Sequence, residues 1–155
     1  MTTVATTGIW HGTPSLASAN ERGATALNGV LGMELTELRP DALVGRMPVD
    51  PRTHQPAGVL HGGASVAFAE TLASWAATFA VDRDRFHCVG MEINANHVRP
   101  VASGWVTGEA RPLSRGRRTQ VWEVRILDDR NRLVCVSRCT LAVLETPSEY
   151  ALADS

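Results

Sequence analysis

Apolar positions along this chain change their period several times, and each change marks an element. In residues 15–31 (SLASANERGATALNGVL) the spacing of small and apolar positions suits a short helix, with Ser15 or Ser18 as its N-cap. Residues 32–50 alternate instead, with Met33, Leu35 and Leu38 in one run and Leu43, Val44 and Met47 in the next. That predicts a β-hairpin turning at Pro40-Asp41. A Gly- and Pro-rich loop over residues 54–63 (HQPAGVLHGG) then feeds the Ala-rich segment ASVAFAETLASWAATFAV. The segment reads as one helix of roughly 17 residues, about 25 Å long. Its faces are nearly all small or apolar, so it is expected to be covered on most sides. Strands are predicted over residues 88–98, 105–112, 117–127 and 132–144, with turn signals between them. Connections this short make them largely antiparallel. The expected architecture is α+β, a strongly curved antiparallel sheet wrapped around one long central helix. Residues 1–14, Thr/Gly-rich and aperiodic, are expected to be a flexible tail, residues 15–147 a single domain and residues 148–155 a C-terminal tail.

Composition narrows the chemistry. The chain has 155 residues, 15 basic against 16 acidic, a net charge of −1 and 44% hydrophobic residues, which fits one compact soluble domain. All 15 basic residues are arginine, so Schiff-base, lysine general-base and P-loop lysine chemistry is excluded. The balanced charge argues against nucleic acid or an anionic membrane as partner. Cys88, Cys135 and Cys139 are too few and too irregular for a disulfide framework, and a cytoplasmic location is expected. No signal-peptide pattern opens the chain. The apolar stretch over residues 64–81 is long enough to raise the question of a membrane span. Glu70 at the middle of a lone span would cost about 2.5–3.5 kcal/mol, so a buried helix is the better reading. No metal site is expected, because Cys135 and Cys139 lack His or acidic partners at ligand spacing.

The run HQPAGVLHGGASVAFAETLAS, residues 54–74, resembles the signature of the hotdog-fold acyl-CoA thioesterases. It is most similar to the phenylacetate-type and enterobactin-proofreading-type branch, which includes the Arthrobacter-type 4-hydroxybenzoyl-CoA thioesterase. Similarity continues through NANHVRP (residues 94–100), the GRRTQ turn (residues 116–120) and the last strand, and so covers roughly residues 32–145. The resemblance implies a hotdog fold, edge-to-edge sheet pairing into a homodimer with two active sites between facing helices, and often a dimer of dimers, a homotetramer. It implies Glu70 as nucleophile or general base with Ser74 in support. It implies Gln55 and His61 as groups that orient the thioester carbonyl, Gly62 as the backbone donor, and His97 as an acyl-ring or water-positioning residue.

Thioester hydrolysis needs a group that polarises the carbonyl, a carboxylate or base, and an acyl pocket. Gly62 and Gly63 stand where loop becomes helix, and their N–H groups at its positive end are candidate carbonyl donors. Glycine there also lets a substrate approach the backbone. Glu70 follows Gly62 by eight residues, about 12 Å along one helix, too far for one thioester to touch both. The spacing therefore favours a composite site across a two-fold interface. Ser74, at i+4 from Glu70, shares its helix face and is a candidate to hold the carboxylate or the attacking water. Its plain alternative is a bond back to its own helix. The plain alternatives are a helix cap for His61, a tight entry to the helix for Gly62-Gly63, and core for Phe68 and Trp75. Arg111, Arg115, Arg117 and Arg118 cluster around Gly116. With Thr119 and Arg99 they are candidates to bind the phosphates of coenzyme A, or else a solvated hairpin. The expected activity is hydrolysis of an aryl- or short acyl-CoA, or acyl-carrier, thioester, with no cofactor beyond the coenzyme A of the substrate. A hotdog hydratase or dehydratase and a non-catalytic acyl-CoA sensor are the alternatives. The Asp-x-x-x-x-His hydratase pattern is missing from the helix entrance, and a sensor has no need of a buried carboxylate.

Overall fold

The structure, a computed structural model, describes residues 8–147. Its elements in order are α1 (Leu16–Gly23), α2 (Leu27–Val30), β1 (Glu34–Arg39), β2 (Ala42–Val49), α3 (Gly62–Phe79), β3 (Phe86–His97), β4 (Gly104–Arg115), β5 (Thr119–Asp128) and β6 (Leu133–Glu145). The strands form one six-stranded sheet in the order β1-β2-β4-β5-β6-β3, and every adjacent pair is antiparallel. The hairpin turns at Pro40-Asp41 as its alternation predicts. The sheet curls around α3, whose Phe68, Ala69, Leu72, Ala73, Ala76 and Ala77 are buried against it. No helix among the described residues is long and apolar enough to cross a membrane.

What seats α3 is a pair of glycines. Gly45 on β2 and Gly108 on β4 are cross-strand partners. A Cβ built on Gly108 would stand 2.5 Å from Leu72 Cδ1, and one on Gly45 would stand 2.8 Å from Leu72 Cδ2. Glycine in a strand is about 0.5–1 kcal/mol worse than alanine. The pair is accounted for by the depression it leaves, into which Leu72 and the edge of Phe68 fit.

Two expectations are corrected. The single helix over residues 15–31 is two, α1 and α2, broken after Gly23. Ser15 does cap α1, accepting from the Ser18 N–H at 3.2 Å. The break has a tertiary cause, because α1 turns to dock on β1. Asn20 both donates to the Leu35 carbonyl (2.9 Å) and accepts from its N–H (2.8 Å). The described part of the expected N-terminal tail is also tied down. Trp10 stacks on Trp122 with ring centroids 6.1 Å apart and donates its indole N–H to the Arg39 carbonyl at 2.6 Å. The Ile9 and His11 N–H groups bond the carbonyls of Pro40 and Phe79. An aperiodic segment gives no sign of such docking, because one buried indole has no period. Residues 1–7 and 148–155 lie outside the described residues.

Candidate active site

The loop before α3 is a small hairpin closed by an isolated His54–Leu60 bridge and by hydrogen bonds from the Gln55 N–H to Val59 and the His61 N–H to Thr53. The buried Thr53 hydroxyl anchors it to the Pro48 carbonyl at 2.8 Å. The Leu60 N–H (2.7 Å) and a His54 ring nitrogen (3.0 Å) tie it to residues 101 and 102. This hairpin carries both Gln55 and His61. Gln55 Oε1 accepts from the Ala57 N–H (2.9 Å), which leaves its amide N–H donors without a partner among the described residues.

His61 is the N-cap of α3. Its Nδ1 accepts from the Gly63 N–H at 2.8 Å, which puts the proton of the neutral ring on Nε2, the exposed nitrogen. Its carbonyl accepts from Ala64 and Ser65. A helix leaves its first N–H groups unsatisfied. Here one remains, that of Gly62, with no acceptor among the described residues. Gly63, expected as a second donor, is already used by the cap, and that expectation is corrected. The side of Gly62 on which a Cβ would project is covered by His97. A Cβ there would stand 3.0 Å from His97 Nε2 and 3.2 Å from Cε1. Glycine at this position thus makes room for the imidazole, while its N–H stays open.

Two turns further along α3, Glu70 is half-buried, and no hydrogen bond or ion pair reaches its carboxylate among the described residues. Ser74 lies beside it one turn on and makes no hydrogen bond either, so of the two roles expected for its hydroxyl the direct bond to Glu70 is not formed. Nor is the back-bond to the helix, which Thr71 does make to Ala67 at 2.8 Å. Both polar groups line an open groove of about 370 Å³ with Ala67, Asn28 and Trp75. Phe68 is core, 1% exposed, and Trp75, half-buried against that core, also walls the groove. The thiols are not rivals to Glu70. Burial pushes Cys88 up to about 11 and Cys139 likewise, the latter helped by the Glu70 and Glu92 carboxylates. At neutral pH both stay protonated and poorly nucleophilic. No three His, Cys, Asp or Glu side chains converge on a common point among the described residues.

The arginine cluster divides. Arg111 is held by Asp41 and Glu109, and Arg115 bonds the Ile9 carbonyl at 3.1 Å. Arg117 and Arg118 are exposed on the β4–β5 turn and have no partner among the described residues. Arg118 accepts on its carbonyl from the Val143 N–H, while His97 faces Cys135 across the sheet. Eight residues of β6 separate those two points, about 26 Å at strand rise. Arg99 thus lies at the Gly62 end of the sheet, and Arg117, Arg118 and Thr119 at the far end of the same chain. The expectation that all of them line one site does not hold within a single chain. Spacing in the sequence cannot show which end of a sheet a turn occupies.

Gly90, which the sequence reading passed over, touches Glu70. A Cβ on it would stand 2.6 Å from Glu70 Oε1. An isolated glycine inside a predicted strand is the signal that marks such a bulge or close approach.

A sequence profile described as the thioesterase superfamily matches residues 57–135. The proofreading thioesterase EntH of Cronobacter turicensis is 46% identical over 136 residues, 88% of this chain and 98% of the relative. The 1,4-dihydroxy-2-naphthoyl-CoA hydrolase of Escherichia coli is 43% identical over 136 residues, 88% of this chain and 99% of the relative. Among solved structures, a mutant of thioesterase PA1618 from Pseudomonas aeruginosa matches with a TM-score of 0.88 at 42% identity, covering 90% of this chain and all of that one. With a six-stranded antiparallel sheet wrapped around one long helix, this chain belongs to the thioesterase superfamily, has its hotdog fold and is a thioester hydrolase.

Proposed function

We propose that this chain hydrolyses an aryl- or short acyl-CoA thioester to the carboxylic acid and free coenzyme A, in a site completed by a second copy. The observation that carries the reading is a pair of unclaimed groups on α3, the Gly62 N–H and the Glu70 carboxylate. The first is a hydrogen-bond donor at the positive end of a helix, suited to a carbonyl oxygen that becomes an oxyanion. The second is a half-buried carboxylate in a groove. Eight residues of one helix hold them about 12 Å apart, so a single carbonyl meets both only when two α3 helices run antiparallel across a two-fold axis.

Such a dimer is supported by β3, a twelve-residue strand at the end of the sheet with its outer edge unpaired. Its Val89 and Met91 are 45% and 63% exposed. A long unpaired edge is a pairing template, and pairing it with a second copy satisfies its free backbone groups. The same two-fold axis would carry Arg117, Arg118 and Thr119 of one copy toward the Gly62 end of the other, where Arg99 and a substrate's phosphates would meet them. A dimer of dimers is the expected full assembly.

In this site Glu70 of one copy acts on the thioester carbonyl carbon, either directly or by taking a proton from the attacking water. Gly62 of the other copy, with the Gln55 amide and the His61 Nε2–H, holds the oxygen as negative charge gathers on it. The tetrahedral intermediate collapses, the C–S bond breaks, and the thiolate takes up the proton that Glu70 removed from water. On the direct route collapse leaves a Glu70–acyl anhydride, which water hydrolyses to the acid and the free carboxylate while its proton goes to the thiolate. Ser74 steadies the water, and His97 borders the Gly62 donor. Coenzyme A is part of the substrate, and the reaction draws on no other cofactor. Free cysteines and this substrate class suit a cytoplasmic enzyme. The 1,4-dihydroxy-2-naphthoyl-CoA activity named for the E. coli relative supports an aryl acyl group.

Glu70→Ala tests the reading. Thiol release from benzoyl- and phenylacetyl-CoA should fall by about 10²–10⁴-fold in kcat with the fold and oligomer unchanged. Turnover at the wild-type rate would overturn it. A single turnover in ¹⁸O-water separates the two roles of Glu70: a general base sends the label into the product acid alone, whereas direct attack with hydrolysis of the anhydride at its Glu70 carbonyl leaves the label in the carboxylate of the enzyme.

A further inference from the structure

Gly90 sits well inside a twelve-residue strand, where glycine gives up about 0.5–1 kcal/mol relative to alanine. Its backbone does not require it, because the glycines with positive φ are Gly12, Gly32, Gly58 and Gly104. Crowding by the core does not require it either. A Cβ at position 90 would have only Glu70 Oε1, at 2.6 Å, and Glu70 Cδ, at 3.7 Å, within 4 Å outside its immediate chain neighbours. What the absent side chain makes room for is one carboxylate.

Strand geometry around it points the same way. Residues seven apart on a regular strand face opposite sides of the sheet. Gly90 and His97 are seven apart, yet both face α3, one against Glu70 and the other against Gly62. The β3–β6 register accounts for this, because it shifts between Gly90 and Glu92 and leaves Met91 as an extra residue. Before the bulge Phe86 and Cys88 are the half-buried positions, and after it Ile93 and Ala95 are. Bulges commonly re-aim side chains beside active sites.

We propose that Gly90, at the β3 bulge, is a positioning residue for Glu70, its bare Cα setting where the carboxylate rests and so its aim into the groove. The proposal rests on Glu70 being the reacting carboxylate. In Gly90→Ala, Oε1 must retreat about 0.8 Å to reach ordinary contact near 3.4 Å. Because Oε1 ends a flexible side chain, the fold absorbs the change and the carboxylate does not keep its place. A misplacement of about 1 Å costs on the order of 10²-fold in rate.

The experiment is a double-mutant cycle on the full-length protein with benzoyl-CoA, reading kcat, KM and melting temperature. Gly90→Ala is expected to lower kcat 10- to 100-fold with KM within about twofold. Added to Glu70→Ala, it should leave the residual turnover unchanged and the melting temperature unchanged or slightly raised, because alanine then replaces glycine in a strand without a clash. Wild-type kcat in Gly90→Ala alongside an inactive Glu70→Ala overturns this inference and leaves the proposed function standing. Wild-type turnover in Glu70→Ala overturns both. An equal loss from Gly90→Ala in both backgrounds means that Gly90 serves packing, which also overturns the inference. Should Gly90→Ala alone prove unstable, recovery of the Glu70→Ala melting temperature in the double variant supports the proposal, and failure to recover it refutes the proposal.

Discussion

Replacing Gly108 by alanine puts one methyl group under α3, and its effect can be worked from three distances. The new carbon would stand 2.5 Å from Leu72 Cδ1, 2.9 Å from Phe68 Cε1 and 3.2 Å from Phe68 Cζ. Ordinary contact begins near 3.4 Å, so Leu72 must give way by about 0.9 Å. Leu72 and Phe68 are 0% and 1% exposed, and neither has solvent to retreat into. Overpacking of this kind costs about 1–3 kcal/mol, offset by the 0.5–1 kcal/mol that alanine gains over glycine in a strand. Taking the middle of each range, the net loss is about 1.2 kcal/mol. At 2–4 °C per kcal/mol for a chain of this size, the melting temperature should fall by about 2–5 °C. The same substitution in a Leu72→Ala background should be neutral or stabilising by up to about 1 kcal/mol, because the methyl group then enters space that Leu72 vacated. Thermal melts of all four proteins at one fixed concentration, since assembly shifts apparent stability, read out the sign. An equal loss from Gly108→Ala in both backgrounds would refute the idea that the glycine exists to seat Leu72.

Two further predictions concern charge. Asp128 accepts from the backbone N–H of Arg132, its guanidinium and the N–H of Arg130, which together hold its carboxyl down to about 2 from 3.8. A folded-state value below the unfolded one means that this stabilisation is complete above the unfolded value and is lost as pH falls from about 4 toward 2. Asp128→Asn should therefore lower the urea midpoint at pH 7 and converge on the parent near pH 2; a constant difference across that range would count against it. If Arg117 and Arg118 hold phosphates, alanine at either should raise KM for an acyl-CoA by up to about fivefold and weaken its salt dependence, with kcat kept. The acyl-N-acetylcysteamine thioester, which carries no phosphate, should show no such rise.

The glycines show how far a linear reading reaches. Gly62 and Gly63 are conspicuous because they open the Ala-rich helix, and a donor at the helix entrance follows from that place alone. That His61 takes the Gly63 N–H, while His97 covers Gly62 and leaves its N–H free, depends on a strand end thirty-five residues away. Gly90 drew no notice, since the consequence of a missing side chain lies in whatever packs against it.

Hydrophobic period and turn chemistry are local properties, and they determined the long apolar helix, the hairpin and the run of antiparallel strands. Residue type and helical rise determined that Glu70 and Gly62 belong to one helix and cannot serve one carbonyl from the same copy. Tertiary structure alone decided which side chains face each other across elements. It folded the Trp10 segment onto Trp122 and sent Arg117 and Arg118 to the opposite end of the sheet from Arg99. It also placed an extra residue in β3 so that Gly90 and His97 look the same way. The physical reason is that strand parity, register and docking are set by pairing between distant segments. A single inserted residue there inverts every later facing without altering the composition or period from which a sequence is read.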